Sequence, residues 1–131
     1  MALNDEDRNA LVNYRVQKAK NTMIEARDNA SMNHWSLAAN RLYYSLFYMA
    51  TALLVSKGIT TKTHAGTIMM LGREFVQKGL LDKEDGAIIS RLQNMRQSGD
   101  YDDLFDWSKE DVEPMIEATN QLLIKMEGLL A

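Results

Sequence analysis

The 131-residue chain contains no cysteine. That excludes a disulfide framework, a thiolate zinc site and a cysteine nucleophile, and it agrees with a reducing cytoplasm, the expected location. Proline occurs once, at Pro114, and the seven glycines stand singly. So few chain breakers disfavour strands and turns and favour helices. No apolar run approaches the roughly 20 residues a bilayer-spanning helix needs. The longest, Tyr43 to Val55, carries Ser45 and Thr51. The opening residues include Asp5, Glu6 and Asp7, which is not how a secretory signal begins. Positive charge is in deficit, with 15 Lys and Arg against 18 Asp and Glu and a net charge of −3. Generic DNA-backbone binders are usually basic, so broad DNA binding is not expected, although a small basic cleft is compatible with this balance. Ser31 and Thr61 stand three residues before His34 and His64, where a di-iron bundle would need glutamates. No glycine-rich phosphate loop or nucleophile elbow is present. No metal and no cofactor are therefore expected.

What is present points to one all-α domain over residues 1–131, an up-down bundle of four or five helices. Hydrophobic residues make up 46% and charged residues 25% of the chain, the balance of a soluble globular domain. Val12, Val16, Ala19, Met23, Ala26 and Ala30 recur at helical spacing and predict a first helix over Asp5–Ala30. Arg8, Arg15 and Lys18 lie off that stripe, on a solvated face or a basic patch. A connection over Asn29–Asn33, with Ser31 or Asn33 as cap, leads to a helix over Trp35–Ser56 that stops at Gly58. Its inward set is Leu37, Ala38, Leu42, Ser45, Leu46, Ala50 and Leu53. Tyr43, Tyr44, Phe47 and Tyr48 widen it, so it is central in the bundle or buried against a partner chain. Thr63 can cap a third helix reaching Lys78 and ending at Gly79, with Ile68, Leu71, Gly72 and Phe75 inward. Asp82 can cap a fourth from Lys83 to Ser98, ended by Gly99, with Ile88, Leu92 and Met95 as its core. Ser108 and Asp111 give the start of a fifth helix, which tolerates Pro114 in an early turn. Met69, Met95, Met115 and Met126 read as core filling.

Several polar residues could carry chemistry. Asn40 and Tyr44 share a side of the second helix with Arg41 beside them, forming either a ligand-binding patch or a hydrogen-bonded anchor of the core. Arg96 and Asp100 stand at i and i+4, which suits a helix-end ion pair as well as a cleft. A guanidinium forks onto phosphate oxygens, so Arg96 is the natural anion ligand. Asp100 can act as a base or hold Arg96, and Tyr101 follows it. His64, after Thr63 at a helix start, reads as a capping-region residue, and His34 as a loop residue. The acidic run Asp100 to Glu113 reads as a solvated segment at a helix N-terminus. A docking strip for a basic partner, anchored by Trp107, is the other reading.

Three segments in order carry a family resemblance: Ala39-Asn40-Arg41-Leu42-Tyr43-Tyr44-Ser45-Leu46-Phe47; Lys62-Thr63-His64-Ala65-Gly66 with Phe75-Val76-Gln77-Lys78-Gly79; and Arg96-Gln97-Ser98-Gly99-Asp100-Tyr101-Asp102. Together they resemble HEPN domains, in particular a small bacterial group with an R-x-x-x-D-Y motif, over roughly Asn21 to Leu130. The resemblance implies a helical bundle that usually dimerises and often pairs with a small nucleotidyltransferase in a toxin–antitoxin-like system. It also implies that many members are metal-independent ribonucleases, with an arginine followed four to six residues later by a histidine. Arg96 matches that arginine, but Tyr101 occupies the place five residues on. The leading expectation is therefore a homodimeric interaction module that binds a nucleotide or RNA near Asn40, Arg41, Tyr44 and Arg96, or docks a nucleotidyltransferase. The alternatives are a ribonuclease toxin using Arg96 with Asp100 or Tyr101, and a dimeric scaffold with no ligand.

Overall fold

The computed structural model describes residues 3–101 and 106–130, and the side chains of these except 99–101. They form five helices: α1 (Asp5–Ser31), α2 (Trp35–Ser56), α3 (His64–Leu71), α4 (Lys83–Tyr101) and α5 (Lys109–Glu127). A π-helical turn, Gly72–Val76, continues α3. There is no strand among the described residues, so the chain is an all-α bundle as its periodicity indicates.

The helix ends follow local chemistry. Asn4 caps α1, its side chain accepting the Asp7 N–H at 2.7 Å, and three acids occupy the first turn where the helix dipole favours them. Asp82 and Asp85 cap α4 reciprocally, each carboxylate accepting the other's backbone N–H at 3.0 Å. Lys125 of α5 reaches Asp85 at 2.6 Å and ties the two helices together. At the start of α5 the Asp111 carboxylate accepts both the N–H and the hydroxyl of Ser108. Gly58 and Gly79 take φ of 77° at the expected stops.

α2 is the central element, packed against α1, α3, α4 and α5. Leu42, Leu46, Met49 and Leu53 are buried in one cluster with Met23 and Ala26 of α1, Leu92 and Met95 of α4, and Leu122 and Met126 of α5. Burying a leucine-sized side chain contributes about 1.5–3 kcal/mol, so this layer holds the bundle together.

Six expectations need correction. Asn33 lies at φ 61° and is no cap; His34 occupies the N-cap position of α2 without a side-chain bond. Leu37 is 55% and Met69 67% exposed, because the bundle covers neither flank on which they stand. Ile89 rather than Ile88 takes the buried place on α4. The third helix does not run as one α-helix to Lys78: Gln77 N–H bonds Gly72 C=O at 2.9 Å, an i to i+5 turn that a 3.6-residue period does not announce. Gly99 does not end α4, which runs on to Tyr101, so Arg96 sits within the helix rather than at its last turn.

The segment entering α5 is anchored inward. Trp107 donates its indole N–H to Met95 C=O at 2.7 Å and its backbone N–H to the Ser36 hydroxyl at 2.9 Å. Ser36 in turn donates to the Asp106 carboxylate. Trp107 therefore fastens its segment to α4 and α2, which removes it as the free anchor of a docking strip. Asp102, Asp103 and Phe105 lie outside the described residues.

Candidate functional site

The site forms where α2, α3 and α4 converge. α2 contributes a run of four aromatic rings interrupted by Ser45 and Leu46. Tyr43 and Phe47, four residues apart, share a side and stack at 5.9 Å, and Tyr44 and Tyr48 share the neighbouring side at 5.8 Å. Tyr43 is 1% exposed, while Tyr44, Phe47 and Tyr48 are partly exposed.

α3 delivers His64. Thr63 caps the helix by accepting the Gly66 N–H at 2.9 Å, which places His64 at the first helical position. Glycine at 66 leaves room for that cap, since a Cβ there would lie 2.9 Å from the Thr63 hydroxyl. The His64 ring stacks on Phe47 at 4.1 Å with 13° between planes, and its Nδ1 lies 2.8 Å from the Tyr43 hydroxyl. α4 delivers Arg96, whose Cζ lies 5.4 Å from the Tyr43 ring centroid and 5.3 Å from that of Tyr44.

Burial pushes the Tyr43 phenol up to about 12, Tyr44 adding to the rise, while the charge and hydrogen bond of Arg96 pull the other way. Partial burial, and secondarily the Arg96 charge, hold the His64 imidazole below its usual 6.5. Arg96 can only donate, so it faces the Tyr43 oxygen as a donor. With the Tyr43 hydroxyl donating to Nδ1, a neutral His64 carries its N–H on Nε2. The result is a guanidinium beside an imidazole donor, joined through one buried phenol: two groups suited to phosphate oxygens, one with a titratable proton.

Arg41 extends the cluster along α2. Its Cζ stands 5.2 Å from the Tyr44 centroid, so two guanidiniums attend that ring. Asn40 orients Arg41 by accepting from Nε at 2.9 Å and Nη2 at 2.6 Å, and Glu25 of α1 pairs with Nη1 at 3.4 Å. The fold thus brings Arg41, Tyr44 and Arg96 together, with Asn40 joined through Arg41. Asp100 and Tyr101 follow Arg96 on α4, but their side chains lie outside those described. The sequence alone reads His64 as a capping-region residue and Tyr43 and Phe47 as core or partner interface; Tyr43 is indeed buried in the core, and it is there that it meets His64. The Thr-His-Ala-Gly segment was a visible signal, but only the packing of α3 on α2 reveals which ring it delivers. Among the described residues no group of His, Asp and Glu side chains is arranged to hold a metal ion, and no helix is long and apolar enough to cross a membrane.

The comparisons with known proteins agree with this architecture. The family model described as the HEPN domain matches residues 12–129. A UPF0332 protein of Thermotoga maritima is 31% identical over 124 residues, covering 95% of this chain and 94% of that protein. A protein of Methanocaldococcus jannaschii named as a candidate toxin is 31% identical over 115 residues, covering 88% of this chain and 78% of its own. Another candidate toxin by name, from the same organism, is 35% identical over 100 residues, 70% of this chain and 75% of its own. A match that spans nearly all of the five-helix bundle, including the three elements that build the Tyr43–His64–Arg96 cluster, means that this chain belongs to the HEPN domain family.

Proposed function

We propose that this HEPN protein is an RNA-directed module of toxin–antitoxin type, which engages a phosphate of a nucleotide or RNA at Tyr43, Tyr44, His64 and Arg96. The observation that carries the reading is the meeting of the Arg96 guanidinium and the His64 imidazole on Tyr43, from three different helices. A guanidinium set against aromatic rings and beside an imidazole offers two groups suited to phosphate oxygens. Arg41, oriented by Asn40, supplies a second cation beside Tyr44. The relatives named as candidate toxins support the toxin side of the reading. A single cytoplasmic domain, acting as a homodimer and paired with a nucleotidyltransferase, is the setting that the family resemblance supplies.

Metal-independent cleavage is a second reading, favoured by one feature: His64 supplies in space the histidine that the Arg96 segment lacks in sequence. In such a step the ribose 2′-oxygen forms a bond to phosphorus, the P–O5′ bond breaks, the 2′-proton passes to a base and O5′ takes a proton. Arg96 would stabilise the phosphorane charge, His64 Nε2–H would face the phosphate or the leaving oxygen, and Asp100 or Tyr101 would complete the set.

Both readings meet in one experiment: labelled single-stranded RNA in EDTA with wild type, Arg96→Ala and His64→Ala. Hydrogen bonds to charged groups contribute about 1.5–3 kcal/mol, so each variant should lose roughly ten- to a hundredfold in affinity while remaining helical. Any cleavage seen with wild type should vanish in both. Wild-type affinity in both folded variants would refute the site.

A further inference from the structure

We propose that the groove between α1 and α2 is a track for single-stranded RNA leading into the Arg96 cluster; this rests on the phosphate-binding reading above. The groove, about 620 Å³ in volume, is lined by Tyr14, Lys18, Asn21, Glu25, Arg41 and Tyr48, among others. Rings and cations alternate along it. Lys18 Nζ lies 5.8 Å from the Tyr14 centroid and 4.7 Å from that of Tyr48. Tyr48 is 5.8 Å from Tyr44, and Tyr44 is the ring that Arg41 and Arg96 attend. The aromatic–cation series therefore runs unbroken from the α1 surface to His64.

The composition of this series identifies its occupant. Tyr14 is 52% exposed, so beside Lys18 its ring leaves an open face suited to a stacked base. A single strand needs that combination of rings for unpaired bases and cations for successive phosphates. Paired bases have no free face to offer. The chain carries an overall excess of acid, yet among the described residues Glu25 is the sole acid lining the groove, and it is paired with Arg41 at 3.4 Å.

The test is calorimetric titration in EDTA with two 2′-O-methyl RNAs, which cannot be cleaved: a dodecauridylate and the dinucleotide UpU. The proteins are wild type, Arg96→Ala and the surface double variant Tyr14→Ala/Lys18→Ala. The dodecamer should bind wild type more tightly than UpU. The double variant should lose about tenfold for the dodecamer, with a salt slope smaller by roughly 0.7, and keep its affinity for UpU. Arg96→Ala should weaken both ligands. Equal affinity of wild type for the two RNAs, or no effect of the double variant on the dodecamer, overturns the track and leaves the Arg96 site standing. Binding of neither RNA to wild type overturns the phosphate-binding reading as well.

Discussion

On one side of α2, Leu42, Leu46, Met49 and Leu53 are buried to 0–1% exposure within a single apolar cluster. On the adjoining side, Tyr43, Tyr44, Phe47 and Tyr48 meet Lys18 of α1, His64 of α3 and Arg96 of α4. Both sides are built from large hydrophobic residues at helical spacing. They differ in what the other helices bring to them. The apolar side receives more apolar residues and makes stability. The aromatic side receives cations and an imidazole, which apolar packing does not need, and the rings hold those groups in place by stacking, cation–π contact and hydrogen bonding at the Tyr43 phenol.

If the two sides are separable in this way, substitutions should sort by side. Leu53→Ala on the apolar side should have the largest effect on folding, about 2–5 kcal/mol by urea denaturation, with the RNA affinity of the folded fraction unchanged. A large affinity loss in the folded protein would break the division. Tyr43→Phe keeps the ring and removes the bond to His64. It should cost about 1 kcal/mol in the same assay and free the Nδ1 tautomer, visible as a changed imidazole nitrogen spectrum. An unchanged spectrum would show that the phenol does not set the tautomer. Arg96→Gln removes the charge that helps hold His64 low, so the His64 midpoint should rise in a proton NMR titration; a fall or no change would contradict the assignment. The smallest effect concerns pH. A histidine whose folded value is depressed stabilises the fold above the unfolded value near 6.5, and that contribution is lost as pH falls through the folded value. Wild type should therefore lose more stability than His64→Gln between pH 7.5 and 5, measured by urea denaturation. Equal losses would remove His64 from the pH dependence.

The apolar side was legible in the sequence because its signal is local. The spacing of Leu42, Leu46 and Leu53, and of Val12, Ala19, Met23 and Ala26, names the inward faces of α2 and α1 before any packing is known. The caps at Thr63, Asp82 and Ser108 were legible for the same reason. Exposure at Leu37 and Met69 was not, since it depends on where neighbouring helices stop. The aromatic side was legible only in part. Arg41, Tyr44 and Arg96 stood out as polar groups in apolar or helix-end settings. His64 did not, because 32 residues separate it from Arg96 and its cap position offers a sufficient local explanation. Its partnership with Tyr43 is a product of tertiary packing.

The central claim is that a phosphate binds beside Arg96 and His64, and the most direct measurement is the His64 titration by NMR with and without a saturating short RNA. A bound phosphate favours the imidazolium, so the midpoint should move up from its depressed value in the complex, and Arg96→Ala should abolish the shift at the same RNA concentration. A midpoint that is the same in the free protein and in the saturated complex would contradict the account.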